Sequence, residues 1–518
     1  MAPPSVPASS APAAVDDASR LPYTGDRSFF GQPGGLATLF FTEMWERFSY
    51  YGIRPLLVLF MTAALAQGGF GFERSEASAI VGIYAASVYL ASLPGGWVAD
   101  RWLGLQRSIW YGGVFIALGH LSIALSALLA HGAFFLGLVL IVIGTGLLKP
   151  NISALVGDLY PEGGARRDAG FSIFYMGINT GALIAPLITG ILGERVGWHW
   201  GFGAAGVGML FGLLTFRSRV KRTLGPLGAT PSAAPDEQRR VKRWALGGTA
   251  VVFAVVLLAM FGVIRIDPVA VAERMSLAMA VMAALYFGYI FLLAGLSSDE
   301  KKRMAVILAL CLFSIVFWAA FEQAPTSLNL FARDFTDRTV FGWEMPTLWL
   351  QSANSFFVIT LAPVFGALWV ALAKRKLDFS SPAKFSFALV MAGVGFLVMV
   401  WASNRVIAGG GAVKVSMLWL TVSYLFQTFG ELSLSPVGLS SMTKLAPRKF
   451  VGQMMGLWFL ATAMGNLIAG LVGGHVNPEN LQQMPELFQR TATSLFVAAA
   501  ILAVLVIPIR RMMATTAK

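Results

Sequence analysis

Apolar runs follow one another along almost the whole chain, separated by short connections that contain charged residues, glycine or proline. A helix that crosses a bilayer needs about 20 mostly apolar residues. The pattern therefore predicts an all-α membrane protein with fourteen transmembrane helices. The predicted spans are 36–64, 77–98, 107–130, 133–157, 168–191, 198–216, 245–264, 275–296, 304–331, 345–373, 384–402, 414–442, 448–473 and 490–511.

Basic residues are unevenly distributed among the connections. Connections on the side of the two termini carry most of the basic residues, and connections on the opposite side carry few. Because positively charged connections stay in the cytoplasm, this bias predicts a multi-pass protein with cytoplasmic N and C termini. The basic residues assigned to the cytoplasm are Arg101, Arg107, Arg166, Arg167, those within 217–243, 301–303 and 374–376, Lys384, Lys444, Arg448, Lys449, Arg510 and Arg511.

A basic, proline-containing segment separates six predicted helices from the eight that follow. If the first two of the eight are an insertion that faces lipid, two sets of six helices remain. Two six-helix halves around a central site are typical of carriers that work by alternating access. The predicted divisions are a disordered cytoplasmic tail (1–30), an N-terminal bundle (31–216), a cytoplasmic linker (217–244), an inserted hairpin (245–300), a C-terminal bundle (301–511) and a cytoplasmic tail (512–518).

Composition excludes several classes of protein. Of the 518 residues, 56% are apolar and 13% charged, which is incompatible with an ordinary soluble domain. The net charge of +13 is scattered between apolar spans rather than gathered on one surface, so no nucleic-acid partner is expected. Cys311 is the only cysteine, and the four histidines form no ligand-spaced cluster, so we expect neither a disulfide nor a metal site.

Few charged residues fall inside the predicted spans. Each would cost on the order of 3 kcal/mol at the centre of a membrane helix, so they must pair, hydrate or titrate. Four acids against three bases leave one carboxylate without a permanent partner, as a proton carrier requires, although a ligand amine or a water-filled cavity would serve equally. The residues are Glu43, Glu46, Arg47, Arg54, Lys149, Glu322 and Glu431.

The first span carries the densest group. At about 100° per residue, Glu43, Arg47, Tyr50 and Arg54 share one helix face, with Glu46 beside them. This stripe predicts a polar surface inside the bundle. Its structural alternative is an ion-pair ladder that only locks helices together, an interpretation that applies most strongly to Glu43.

The two predicted halves carry charges of opposite sign near the centre. Arg54 and Lys149 belong to the first half, whereas Glu322 and Glu431 belong to the second. A zwitterion could bridge them, with its carboxylate toward the two cations and its amine toward Glu431.

Two motifs resemble signatures of the proton-dependent oligopeptide transporter (POT) family of the major facilitator superfamily. The likeness extends over nearly the whole chain, and the additional helix pair is similar to that of bacterial members. The first-helix motif E-x-x-E-R-F-x-Y-Y is complete as Glu43, Glu46, Arg47, Phe48, Tyr50 and Tyr51. The fifth-helix motif F-Y-x-x-I-N-x-G is complete as Phe174, Tyr175, Ile178, Asn179 and Gly181.

The resemblance implies a bacterial inner-membrane symporter that imports di- and tripeptides with protons, needs no cofactor and acts as a monomer. It implies proton coupling and gating by Glu43, Glu46, Arg47, Lys149, Glu322 and Arg54. It implies substrate contacts from Arg54 and Lys149 to the carboxylate, from Glu431, Asn179 and Asn354 to the amine, and from Tyr50, Tyr89, Trp318 and Trp458 elsewhere on the peptide.

Two other interpretations remain open at this stage. A carrier of the same fold could move nitrate, a drug or a single amino acid, although Glu431 favours a substrate with an amine. An intramembrane enzyme would need a nucleophile with its base or a metal set, and the sequence offers neither.

Overall fold

The computed structural model describes residues 25–129, 131–375 and 379–514. Fourteen helices of 20 residues or more lie within these ranges. They are α1 (Gly34–Thr62), α2 (Arg74–Val98), α3 (Leu105–Ala124), α4 (His131–Asp158), α5 (Gly164–Ile191), α6 (Trp198–Thr223), α7 (Pro235–Met260), α8 (Pro268–Leu292), α9 (Ser298–Phe321), α10 (Ser352–Lys374), α11 (Ser381–Ala408), α12 (Leu418–Leu445), α13 (Val451–Val472) and α14 (Gln483–Ala514).

The remaining elements are short. Two further α-helices comprise Ser126–Leu129 and Asn329–Asp334. Four two-residue strands lie in the connections near α9 and α11, where β1 pairs in parallel with β4 and β2 pairs antiparallel with β3. The strands are β1 (Thr336–Asp337), β2 (Thr339–Val340), β3 (Trp343–Glu344) and β4 (Val415–Ser416).

Eleven of the long helices are long and apolar enough to cross a membrane. The three below that criterion are α1, α3 and α12, and α1 carries four charged residues in its middle. The all-α, multi-span architecture is therefore confirmed, whereas the exact count of fourteen spans is not.

Local sequence signals explain several helix starts. Asp267 caps α8 by accepting hydrogen bonds from the backbone nitrogens of Val269 and Ala270. Ser297 and Glu300 form a reciprocal capping box at the start of α9. Such caps satisfy backbone donors that have no partner within the helix.

The predicted ninth span, 304–331, is not one continuous helix. Helix α9 ends at Phe321, and Glu322 is its C-terminal cap with φ −76° and ψ 5°. Pro325 follows and lacks a backbone donor, so it cannot hydrogen-bond the carbonyl of Phe321, and a short π-helix begins at Ala324 instead. The break places Glu322 at a helix end in the protein interior.

The chain packs as two sets of six helices, α1–α6 and α9–α14, which meet where α2 crosses α13 and where α5 contacts α10. At the first crossing, a Cβ on Gly82 would lie 2.9 Å from the Cα of Gly470. Only glycine at these two positions lets the two backbones approach so closely.

The inserted pair, α7 and α8, differs from the expectation that both helices face only lipid. Val241 is the buried residue of α7, whereas α8 buries Ala272 and Met279 against α2 and α13. Both α2 and α13 present small residues to α8, including Ala79 and Ala463. Helix α8 therefore contacts both halves of the protein.

Two of the predicted divisions contain ordered structure. The linker 217–244 is mostly helical, because α6 extends to Thr223 and α7 begins at Pro235. Pro235 is favourable at a helix start, and charged residues lengthen both helices beyond the apolar spans.

The predicted disordered tail also extends too far. Residues 1–24 lie outside the described part, but 25–33 pack on the bundle. Asp26 accepts a 2.6 Å hydrogen bond from the backbone nitrogen of Gly34, and its carbonyl accepts one of 2.5 Å from Arg166. Of the predicted C-terminal tail, 515–518 likewise lie outside the described residues.

Polar links between the halves are concentrated at one end, which carries the connections after α1, α5 and α9. We call it the closed end. There Arg74 pairs with Asp334 at 2.7 Å. The Glu194 carboxylate accepts hydrogen bonds of 2.9 and 3.0 Å from the backbone nitrogens of Thr347 and Leu348. The hydrogen bonds and ion pairs described between the halves lie here or near mid-helix.

Candidate functional site

The charged stripe predicted on α1 is buried in the protein. Glu43, Glu46 and Arg47 are each no more than 3% exposed. Arg47 Nε lies 3.2 Å from Glu43 Oε1 and donates a 2.5 Å hydrogen bond to Glu46 Oε2. One cation is therefore shared by two carboxylates of its own helix. Thr145 on α4 donates a 3.4 Å hydrogen bond to Glu46 Oε1.

A second arginine of the same stripe faces the other half. Arg54 Nη2 lies 2.5 Å from Glu322 Oε2, and the same nitrogen donates a 2.6 Å hydrogen bond to Asn466 Oδ1. Arg54 and Glu322 are 7% and 6% exposed. This buried ion pair spans the interface between the halves, and the gating role of the two residues stays a prediction.

Tyr50 lies between the two arginines. The guanidinium carbons of Arg47 and Arg54 lie 5.1 and 5.8 Å from the centre of its ring. Tyr84 of α2 stacks on the same ring at 6.1 Å, and both tyrosines are 3% exposed. The ring face thus offers weak attraction to both cations.

Lys149 is held differently from the arginines. Its Nζ lies 4.1 Å from the centre of the Tyr89 ring, above the face. Among the described residues it has no carboxylate within 4 Å, so the implied contact with Glu43 or Glu46 is not formed in this conformation. The half-buried ammonium therefore retains hydrogen-bonding capacity for another anion.

On the second half, Glu431 of α12 has only neutral hydrogen-bond partners among the described residues. Asn354 donates a 3.1 Å hydrogen bond to Glu431 Oε2 and a 3.0 Å bond to Thr428. Asn179, predicted to join this group, instead donates to the carbonyl of Tyr175 in its own helix at 3.0 Å. Glu431 and Asn354 thus form a pair, and Asn179 is not hydrogen-bonded to them.

The two tryptophans predicted to line side-chain pockets are both buried in the second half. Trp458 packs on Gly438, where a Cβ would come within 2.0 Å of its ring, and lies 6.3 Å from the Phe385 ring. Trp318 lies one turn before Glu322, and its Nε1 is buried without a partner among the described protein atoms. Trp318 is thus close in sequence to the Arg54–Glu322 ion pair, whereas the ring contacts described for Trp458 are with Gly438 and Phe385.

Sequence reasoning missed Asn466 and Tyr84. Asn466 is 1% exposed and lies in the apolar stretch AMGNLIAG, where a buried amide is itself a signal of a specific contact. Tyr84 shows no such signal, since a tyrosine in an apolar helix is commonly part of the core.

Two of the seven charged residues within the predicted spans are not part of an ion pair in the described structure. Arg47 is paired with Glu43 and Glu46, and Arg54 with Glu322. Lys149 of the first half and Glu431 of the second have no ion-pair partner within 4 Å in the described part of the chain. They have opposite signs and lie on opposite halves.

The chain is similar to known transporters over nearly its whole length. It is 53% identical to the peptide transporter YePEPT of Yersinia enterocolitica subsp. palearctica over 498 residues, covering 95% of this chain and 97% of that protein. It is 40% identical to a di-/tripeptide transporter of Lactococcus lactis subsp. cremoris over 453 residues, covering 86% and 89%.

A solved structure and a family model agree with these relatives. The crystal structure of a peptide transporter POT in complex with sulfate superposes with a TM-score of 0.86 at 39% identity, covering 94% of this chain and 97% of that one. The PTR2 model, described as the POT family, matches residues 106–487. The chain belongs to the POT family of membrane transporters.

Proposed function

We propose that this protein is a proton-coupled symporter that imports di- and tripeptides by alternating access across the bacterial inner membrane, acting as a monomer without a cofactor. One observation carries the proposal. After the ion pairs are assigned, a lysine on one half and a glutamate on the other remain without ion-pair partners among the described residues. A peptide backbone carries the complementary charges at its two ends.

The substrate roles follow from this arrangement. The peptide carboxylate binds Lys149 and, once Glu322 releases it, Arg54. The amine binds Glu431, held in place by Asn354, with Asn179 turning from its own helix to join them. Tyr50 and Tyr89 hydrogen-bond the backbone, and Trp318 and Trp458 border the side chains.

Coupling rests on the ion pair between Arg54 and Glu322. With both termini in the cytoplasm, the closed end faces the periplasm, and the conformation described here is closed to that side. Protonation of Glu322 removes the charge that holds Arg54, so periplasmic protons favour opening. On the cytoplasmic side, Lys149 competes with Arg47 for Glu46 and Glu43, which exchanges the ion pairs as the inner gate moves.

The competing interpretation is a POT-family carrier of a different solute. Nitrate has no amine and would leave the buried Glu431 uncompensated, which is unfavourable in a membrane interior. A single amino acid carries both charges but spans a shorter distance than a dipeptide. Competition by free alanine therefore distinguishes an amino-acid carrier from a peptide carrier.

Uptake of labelled dialanine into proteoliposomes tests the proposal. We expect accumulation only when the outside is acidic, with competition by a tripeptide but not by free alanine or nitrate. Vesicles that concentrate no short peptide under any pH difference would overturn it. Competition by nitrate or alanine instead would favour the other solute.

A further inference from the structure

The contact between Arg54 and Glu322 uses one nitrogen of the guanidinium and one oxygen of the carboxylate. Arginine commonly binds a carboxylate through two parallel hydrogen bonds, which fix its orientation. Here Arg54 Nε is buried and has no partner among the described protein atoms. The carboxylate alone therefore fixes a distance but leaves the plane of the guanidinium free to turn.

Asn466 supplies the second contact to that same nitrogen. Its Oδ1 accepts from Arg54 Nη2 at 2.6 Å, and its Nδ2 donates to the carbonyl of Thr462 at 3.0 Å. The second bond fixes which end of the amide faces Arg54. Because Nη2 carries two hydrogens, it can donate to Asn466 and Glu322 at once.

The position of Asn466 ties this contact to the closed end. It belongs to α13, and its backbone oxygen lies 2.8 Å from where a Cβ of Gly82 on α2 would be. The amide therefore lies at the crossing that separates when the halves move apart. Opening must break its bond to Arg54 along with the ion pair.

The two acceptors respond differently to protons. Protonation of Glu322 removes its negative charge, whereas the Asn466 amide accepts equally well at every physiological pH. Asn466 thus orients Arg54 without itself titrating.

We propose that Asn466 is a positioning residue that holds Arg54 Nη2 against Glu322 and thereby makes opening of the closed end respond steeply to protons. Without it, Arg54 turns away from Glu322 part of the time. The ion pair then weakens, and protonation of Glu322 releases less constraint. The inference rests on the proposed function for its role in transport, but the gate itself can be measured without a substrate.

A matched control exists in the same interface. Asn329 is fully buried, and its Nδ2 donates a 2.7 Å hydrogen bond across the halves to the carbonyl of Pro55. It contributes one amide hydrogen bond to α1, as Asn466 does, but its bond goes to the backbone and not to Arg54. Asn329→Leu therefore reports what loss of a cross-half amide bond does by itself.

Cysteine labelling can report opening of the closed end. Ser78 is fully buried there and its hydroxyl has no described partner, so Ser78→Cys on a Cys311→Ala background should react with a maleimide only when the halves separate. Leu65→Cys, at a position 69% exposed, corrects for the effect of pH on thiol reactivity. Both are measured on the full-length purified protein at acidic and at neutral pH.

A double-mutant cycle with Glu322→Gln separates positioning from structure. We expect Asn466→Leu to reduce the acid-to-neutral ratio of labelling at least about threefold when Glu322 is present and to change it little after Glu322→Gln, since contacting residues couple. Asn329→Leu should raise labelling at both pH values and leave the ratio unchanged. Equal behaviour of the two asparagine variants, or additivity with Glu322→Gln, would overturn the proposal.

A second variant keeps the test decisive if Asn466→Leu does not fold. Asn466→Asp retains an oxygen toward Arg54 and adds a charge that can hold the arginine after Glu322 is protonated. We expect it to abolish the acid-induced rise in labelling of Ser78→Cys. A normal rise would contradict the positioning role, whereas failure of dialanine uptake in the unmodified protein would bear only on the proposed function.

Discussion

Arg47 and Arg54 lie two turns apart on the same face of α1, yet they are bound in opposite ways. Both partners of Arg47, Glu43 and Glu46, are on α1 itself. The partner of Arg54, Glu322, is on the other half of the protein. When the halves move relative to each other, the first cluster can stay intact, whereas the second must break.

Because of this difference, the two ion pairs have different roles although they are chemically similar. An ion pair within one helix can stabilise a buried charge but cannot sense the relative position of the halves. An ion pair between the halves contributes to one conformation only, so its protonation shifts the conformational equilibrium. Coupling to the opening of the closed end is therefore expected at Arg54, whereas Arg47 supports the buried carboxylates of its own helix and exchanges them with Lys149 at the inner gate.

The largest expected effect comes from removing the charge of the cross-half carboxylate. Glu322→Gln should reduce pH-driven accumulation of dialanine to the level of empty vesicles, because no proton can then be exchanged at the ion pair. Exchange of peptide across the membrane should persist, since the substrate contacts remain. Uptake under a pH gradient and counterflow in its absence measure the two activities.

The control removes a partly exposed carboxylate in a connection. Glu344→Gln removes one of the two carboxylates beside Arg338, at 2.8 Å, and leaves Glu194 at 3.8 Å. It should leave accumulation near that of the unmodified protein. Normal accumulation in Glu322→Gln would remove that residue from the coupling role and erase the contrast between the two arginines.

The second effect is on stability and tests the within-helix cluster. Arg47→Gln leaves two buried carboxylates without a cation, and breaking a buried pair typically costs about 3–5 kcal/mol. We expect a large loss of thermal stability in detergent, partly restored by adding Glu46→Gln. If Arg47→Gln melts at the same temperature as the unmodified protein, the cluster on α1 does not stabilise the fold.

The sequence, with its family resemblance, predicts much of this comparison, including gating by Arg54 and Glu322, but it misses Asn466. Helical periodicity places Glu43, Arg47 and Arg54 on one face, and the cost of membrane charges marks Glu322 as functional. Periodicity within one helix, however, carries no information on how two helices align. The partnership of Arg54 with Asn466 depends on the crossing of α2 and α13, which only the folded chain defines.

Hydropathy also fails where an apolar run is not one helix. The stretch 304–331 remains apolar beyond Phe321, so a window average passes over the break before Pro325. The reverse holds in 217–244, where charged residues continue α6 and start α7 beyond the apolar spans. Hydropathy reports burial in lipid, whereas helix ends depend on caps, prolines and packing.

A third effect, smaller than the first two, concerns Glu431. Its neutral partners leave its charge available, so Glu431→Gln should weaken a dipeptide about tenfold, as expected for one charge-assisted hydrogen bond. The same change should have little effect on an analogue that lacks the amino group. Competition against labelled dialanine compares the two compounds, and equal weakening of both would argue against an amine contact.

The smallest expected effect distinguishes Lys149 from the arginines. Lys149 is held by the ring face of Tyr89 and not by a carboxylate, and a cation over an aromatic ring gains about 0.5–1 kcal/mol at accessible sites. Tyr89→Leu should therefore raise the KM for dialanine about two- to fivefold beyond the effect of Tyr89→Phe, which retains the ring and loses only the hydrogen bond from the hydroxyl to the peptide. Equal effects of the two variants would mean that the hydroxyl matters and the ring does not. Lys149 would then be oriented by a hydrogen-bonding network that forms only with substrate, and the contrast between ion-paired and ring-held cations would lose its functional meaning.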